Sequence, residues 1–251
     1  MRRQMKKYLN PLFVLFFCTL LRANCLVHAS DTPQEPIDPA KLTGIELCQY
    51  GTTQAHYTPE LIAKCAVEYY SRSEIPFVLG LLEIKKGMTV GDIGCGVGSF
   101  TFALAKQTGR SGKVYAIDIQ EEMIKVVKKH MQDKRQNGFN NIIAYVNKCD
   151  TTLLPKKKLD IAWVSMVHFH NFPVLYKENI SMIKSIYDSL KPGGRLVVSD
   201  EADEHNYIPD PFPNIIKHYQ AAGFTLSRGP IQDPIIKTTF YLVFTKPKRN
   251  S

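Results

Sequence analysis

At 251 residues, with 44% hydrophobic and 22% charged side chains, the chain suits one globular domain with short extensions that can bury its core without disulfide help. The net charge of +9 falls to +4 without the first 29 residues, which hold five basic side chains and no acid, so nothing demands a nucleic-acid partner. Six widely spaced cysteines with no Cys-x-x-Cys pair exclude a zinc-finger signature and a dense disulfide framework.

The chain opens on a basic head (Arg2, Arg3, Lys6, Lys7), an apolar run from Pro11 to Leu21, and a small-residue exit at Val27-His28-Ala29. This is the three-part pattern of a secretory signal peptide over residues 1–29, cleaved after Ala29. The run reaches about half the ~20 apolar residues of a spanning helix, and Arg22 ends it. The expected location is therefore secreted or periplasmic; the alternative is a membrane anchor formed by an uncleaved leader. Cleavage would remove Cys18 and Cys25. It would leave Cys48, Cys65, Cys95 and Cys149, with room for one disulfide in an oxidising compartment but no way to read its pairing.

Residues 30–75 read as a Pro-rich, acidic tether followed by a helical part. Thr58-Pro59-Glu60 is a helix start, with Thr as N-cap and Pro in the first turn. Tyr50, His56, Tyr57, Tyr69 and Tyr70 fall in this stretch, where aromatic faces suit a cation or simply pack. A short helix is expected to begin after Pro76, and the main domain runs from 76 to 251.

From Gly87 the pattern alternates. The spacing predicts strands at Thr89–Ile93, Lys113–Asp118, Ile142–Val146, Ile161–Ser165 and Arg195–Ser199. Helices are expected at Ser99–Thr108, Glu121–Asn137, Val174–Leu190 and Asn214–Ala222, with Met123, Ile124, Val126, Val127 and Met131 facing inward from the second. This alternation predicts a mostly parallel sheet with helices on both faces. Phe224–Arg228 and Phe240–Thr245 read as strands with no helix between them, so the sheet should end in an antiparallel strand.

The chemistry concentrates in Val90-Gly91-Asp92-Ile93-Gly94-Cys95-Gly96-Val97-Gly98-Ser99. A hydrophobic strand runs through three spaced glycines directly into a helix, whose first N–H groups lack intrahelical partners. About 20 residues on, Asp118 ends the second strand, where a ribose needs an acceptor. Two rival readings stand: an exported, non-catalytic domain that binds a nucleoside-like ligand or a partner, and the dinucleotide site of a NAD-dependent oxidoreductase. However, the spacing is Gly-x-Gly-x-Gly, and Ser99 stands where Gly-x-Gly-x-x-Gly needs its third glycine.

Val90-x-Asp92-Ile93-Gly94-Cys95-Gly96-x-Gly98 resembles the first motif of class I, Rossmann-like S-adenosylmethionine-dependent methyltransferases. Leu190-Lys191-Pro192-Gly193-Gly194-Arg195-Leu196 is similar to their turn into the fifth strand, and Asn147-Lys148-Cys149-Asp150 to their segment after the third. The resemblance spans about residues 76–245. It implies a seven-stranded, mostly parallel sheet with an antiparallel C-terminal strand and S-adenosyl-L-methionine as cofactor. Gly94, Gly96 and Gly98 would pass close to its methionine part, with Cys95 between them as a small packing residue rather than a nucleophile. Asp92 would fix the loop or reach the amino group through water. Asp118 would bind the ribose, Ile119 would lie against adenine, and Asp150, beside Thr151, would bind the adenine amino group. Asp150 could instead cap the next segment.

Ser165-Met166-Val167-His168-Phe169-His170 follows the fourth strand, on the side that faces the transferable methyl in this family. Ser165 is counted with the cofactor residues. His168 and His170 are the catalytic or acceptor-gripping candidates, with His168 the first choice for a base. No third ligand accompanies them, so no metal is expected. The acids from Asp200 to Glu204 read as a solvated loop or a lure for a cation. The acceptor itself is not encoded in a recognisable motif; a small or lipid-like molecule is the expectation.

Overall fold

The computed structural model describes residues 73–132, 139–165, 179–201, 212–237 and 239–248. The leader, the tether and the Thr58 helix start lie outside these residues, as do His168, His170 and most of the acidic run after Asp200.

Twelve elements are described. Helix α1 (Ile75–Leu82) carries Pro76 in its first turn, where a missing N–H costs nothing, and ends on Glu83 in the left-handed conformation. Then come β1 (Thr89–Ile93), α2 (Ser99–Thr108), β2 (Lys113–Asp118), α3 (Glu121–Met131), β3 (Ile142–Val146) and β4 (Leu159–Ser165). The last are α4 (Asn179–Ser189), β5 (Leu190–Glu201), α5 (Phe212–Ala221), β6 (Thr225–Gln232) and β7 (Thr239–Thr245).

The seven strands form one sheet in the order β3-β2-β1-β4-β5-β7-β6. All described pairings are parallel except those of β7, which lies antiparallel between β5 and β6. The short β6–β7 connection permits nothing else, since a parallel return needs a crossover of a dozen residues or more. The seven-stranded sheet with one antiparallel strand is the Rossmann-like methyltransferase arrangement expected above.

Strands β1 and β4 lie in the middle of the sheet and are buried along nearly their whole length. Alternate residues divide between two cores. On one face, Val90, Val114 and Trp163 pack under α1, α2 and α3 through Leu82, Leu104 and Val127. On the other, Ile93, Ile117 and Val164 meet α4 and α5 through Ile183, Ile215 and Tyr219. Each such side chain, fully buried, contributes roughly 1.5–3 kcal/mol of transfer free energy. Helix α3 sets Glu121 and Glu122 at its positive end and Lys128, Lys129 and His130 at its negative end.

Several boundaries differ from expectation. Helix α3 ends at Met131, with Gln132 as its C-cap, and Val126 sits half-buried at the flank rather than in the core. Helix α4 stops at Ser189, because Leu190 already pairs with Leu159 and opens β5. Lys191-Pro192-Gly193-Gly194, read as a turn before the strand, is a bulge inside it. The register jumps from Leu190 opposite Leu159 to Arg195 opposite Ile161, and Gly193 takes φ of 78°. Lys246 and Gly193–Gly194 exchange backbone hydrogen bonds across this bulge. Strand β6 runs on through Pro230, beyond the expected end at Arg228, using register shifts on either side of Arg228. Helix α5 begins at Phe212, two residues early, and β4 at Leu159.

Candidate functional site

The carboxyl ends of β1, β2, β3 and β4 emerge along one edge of the sheet. The strand order reverses direction between β1 and β4, the switch point at which open α/β sheets bind ligands. The loop after β1 is pinned there by its own backbone. The N–H groups of Gly94 and Cys95 both donate to the Ile117 carbonyl at 2.9 Å, and Gly98 N–H donates to the Cys95 carbonyl at 2.9 Å.

The three glycines differ in what they require. Gly94, Gly96 and Gly98 have φ of 72°, 53° and 93°, a region that side chains with a Cβ avoid. A Cβ on Gly98 would also strike Phe102 at 2.8 Å and Val127 at 3.1 Å, so this glycine serves helix packing. A Cβ on Gly96 would meet nothing within 4 Å. Its open side is a place where a ligand can approach the backbone.

Asp118 ends β2 and is almost fully buried. Its Oδ2 accepts from Gly96 N–H and its Oδ1 from Gln120 N–H, each at 2.9 Å. A carboxylate offers about four acceptor sites, so with backbone amides on three of them Asp118 can still accept from a ribose hydroxyl. Burial raises its pKa, and hydrogen bonds from the amides of Gln120, Gly96 and Ile119 offset part of the rise.

Asp92 lies one strand over, 2% exposed, and in register with Ala116 and Trp163 on the face covered by α2. Its Oδ2 accepts from the Thr101 hydroxyl at 2.5 Å. Desolvation pushes its pKa up to about 7, against the Thr101 hydrogen bond and with a contribution from the Asp118 charge. The hydrogen bonds to these two carboxylates come from Thr101 and from the amides of Gly96, Gln120 and Ile119, and among the described residues none comes from a basic side chain. Two buried acids thus flank the glycine loop, with no cation bonded to either among the described residues.

Cys95 is buried within the α2-side core, and burial followed by the Asp92 and Asp118 charges drives its thiol well above its ordinary pKa. A thiol so disfavoured as thiolate is inert as a nucleophile. Ile119 is half-buried beside the Asp118 carboxylate. After β3, the Asn147 N–H donates to the Asp118 carbonyl at 3.1 Å, and Lys148 N–H to the Thr151 carbonyl at 3.2 Å. This turn carries exposed Asp150 and partly buried Thr151 to the edge that bears Asp118. Ser165 closes β4, its Oγ accepting from Ser199 at 3.1 Å.

Asp200 is buried at the end of β5 rather than standing in a solvated loop. Cys149 is disulfide-bonded, whereas Cys95 is free. Sequence reasoning passed over Thr101, which a hydroxyl nine residues after an acid does not by itself reveal. Among the described residues no group of acids, histidines and cysteines is arranged to hold a metal, and no helix is long and apolar enough to cross a membrane.

A methyltransferase-domain family model matches residues 84–229. Demethylmenaquinone methyltransferase of Anoxybacillus flavithermus is 27% identical over 116 residues, 46% of each chain. Ubiquinone/menaquinone biosynthesis C-methyltransferase of Escherichia fergusonii is 31% identical over 123 residues, 49% of this chain and 46% of that one. The chain spans about half the length of these curated relatives. In fold, it is similar to an S-adenosylmethionine-dependent methyltransferase from Aquifex aeolicus, with a TM-score of 0.61 at 23% identity, over 76% of this chain and 99% of that one. With more than half of its length inside the family model, the chain belongs to the methyltransferase domain family, whose cofactor is S-adenosylmethionine.

Proposed function

We propose that this protein transfers the methyl group of S-adenosylmethionine to a small or lipid-like acceptor held over the ends of β1 and β4. The observation that carries the reading is the pair of buried carboxylates, Asp92 and Asp118, on either side of the glycine loop, neither of them hydrogen-bonded to a basic side chain among the described residues. A dinucleotide would bring a pyrophosphate, an added anion, to that loop. S-adenosylmethionine brings an ammonium and a sulfonium, which complement the charge already there.

The bound cofactor supplies a methyl group already activated on sulfur, so the protein's task is chiefly to hold and align. Gly96 admits the ligand to the backbone, and Asp118 accepts from the ribose while bracing the loop. Ile119 lies against the adenine, and Asp150 with Thr151 faces its amino group. Asp92 supplies negative charge beneath the methionine part. Ser165 lines the cofactor side of β4, and His168 and His170, which follow it in the chain, grip or deprotonate the acceptor.

Quinone-methylating relatives support an acceptor with a lipid-like character. The leader pattern, together with a disulfide at Cys149, supports work in an oxidising compartment or an uncleaved leader at a membrane. Calorimetric titration of the full chain with S-adenosylmethionine, with its demethylated product and with NAD tests the core of this reading. Micromolar binding of the first two and none of NAD is expected. Folded protein that takes up neither methyl donor nor product would leave only the fold.

A further inference from the structure

We propose that Thr101 is a positioning residue of the cofactor site: its hydroxyl bond holds the Asp92 carboxylate in place and favours its ionised form, so that capture of the cationic cofactor depends on the Asp92 proton. The inference rests on the cofactor reading above and deepens it.

The geometry comes first. Asp92 is the penultimate residue of β1 and Thr101 the third of α2, so the turn through Gly94, Gly96 and Gly98 brings them together. Both are buried, Thr101 completely, and their side chains meet at 2.5 Å. A hydroxyl can donate to a carboxylate in only one sense, and an ionised carboxylate is the better acceptor. The contact therefore favours the charged form.

Against it stand desolvation and the charge of Asp118 on β2, the one acid described as acting on Asp92. Cys95 on the loop senses both carboxylates and is held neutral. The in-register neighbours on β2 and β4 are Ala116 and Trp163, neither of which titrates. These opposed influences leave the carboxyl near neutrality, with a pKa of about 7. A cationic ligand prefers the ionised form, so binding must expel a proton whenever Asp92 begins protonated. Affinity then falls roughly tenfold per pH unit on the acid side of the free-protein pKa. Removing the Thr101 hydroxyl raises that pKa further and moves the fall to higher pH.

The experiment is calorimetric titration of the full chain with S-adenosylmethionine from pH 5.5 to 8.5, in two buffers of different ionisation enthalpy. Wild type is compared with Thr101→Val, Thr101→Ser and Asp92→Asn. Wild type should release a proton on binding below about pH 7 and show its inflection there. Thr101→Val should move the inflection up by roughly one pH unit, the equivalent of one hydrogen bond to a charged group. Thr101→Ser should restore it, and Asp92→Asn should erase it. Thr101→Ala is read in the same way should the valine variant not fold. A Thr101→Val protein that binds more weakly by one factor at every pH would make the residue merely structural and overturn the inference alone. Absence of binding by folded wild type at pH 8.5 would overturn the cofactor reading beneath it.

Discussion

Asp118 joins the two loops of the site: its Oδ2 accepts the Gly96 N–H at 2.9 Å, while its partner oxygen holds Gln120 N–H at the start of α3. One carboxylate thus braces the loop after β1 from the end of β2. The same oxygens are the ribose acceptors of the proposed function, so shape and binding depend on one side chain.

Asp118→Ala should consequently weaken S-adenosylmethionine binding by about a hundredfold or more. Hydrogen bonds to a charged group are worth roughly 1.5–3 kcal/mol each, and the variant loses those to the ligand as well as the brace. Calorimetry on the variant, with circular dichroism to verify folding, checks this. A folded variant with unchanged affinity would remove Asp118 from the site.

Gly96→Ala and Gly98→Ala should fail in different ways. At Gly98 the new methyl meets Phe102 at 2.8 Å and Val127 at 3.1 Å, in a backbone conformation already costly for alanine. Destabilisation of about 2–4 kcal/mol is expected from overpacking and φ strain together. At Gly96 the methyl enters open space, so only the strain of roughly 1–2 kcal/mol applies to folding, while the ligand's approach is blocked. Thermal melts should show the larger loss for Gly98→Ala, and titrations the larger loss of affinity per degree of melting for Gly96→Ala.

Much of this was legible in the residues. Strand β1 and helix α2 begin and end where expected because glycines punctuate both ends, and Asp118 was placed by its position at the end of an apolar strand. The start of β5 was not legible. Pro192-Gly193-Gly194 has the chemistry of a turn, and only pairing with Lys246, more than fifty residues on, keeps it in the sheet as a bulge. The Asp92–Thr101 contact was hidden for a related reason. A nine-residue separation fits neither helical nor strand periodicity and is closed by the left-handed glycines between them. Asp200 was misread because acids in sequence suggest solvent, whereas the antiparallel partner β7 buries the strand end.

Asp92→Asn should stabilise the free protein at pH 8. An acid raised from 3.8 to about 7 on folding makes the native state bind protons that the unfolded chain has released. Its contribution to stability is fully present below the unfolded value and is lost as pH rises through the folded one. Neutral asparagine can still accept from Thr101 and escapes the desolvation penalty. The melting temperature of the variant should therefore exceed that of wild type at pH 8, with the gap closing toward pH 5. Its affinity for S-adenosylmethionine should fall, the usual exchange of stability for a functional charge. A variant less stable than wild type at pH 8 would mean that the carboxylate is compensated by a cation.

Reduction should weaken both the fold and the site through Cys149. This cysteine lies two residues beyond Asn147, whose N–H bonds the Asp118 carbonyl, and one before Asp150, so its disulfide anchors the edge that bears the proposed adenine contacts. Cys95 is free, so it takes no part in this bond. Loss of a native disulfide typically costs about 2–5 kcal/mol. Peptide mapping without reductant should recover a Cys149-containing disulfide peptide. Dithiothreitol, or Cys149→Ser, should lower the melting temperature by about 5–15 degrees. S-adenosylmethionine should oppose the loss, since a ligand that binds only the folded form stabilises it by mass action. A Cys149 thiol that alkylates readily in the unreduced native protein would refute the bond and, with it, the argument that the domain works in an oxidising compartment.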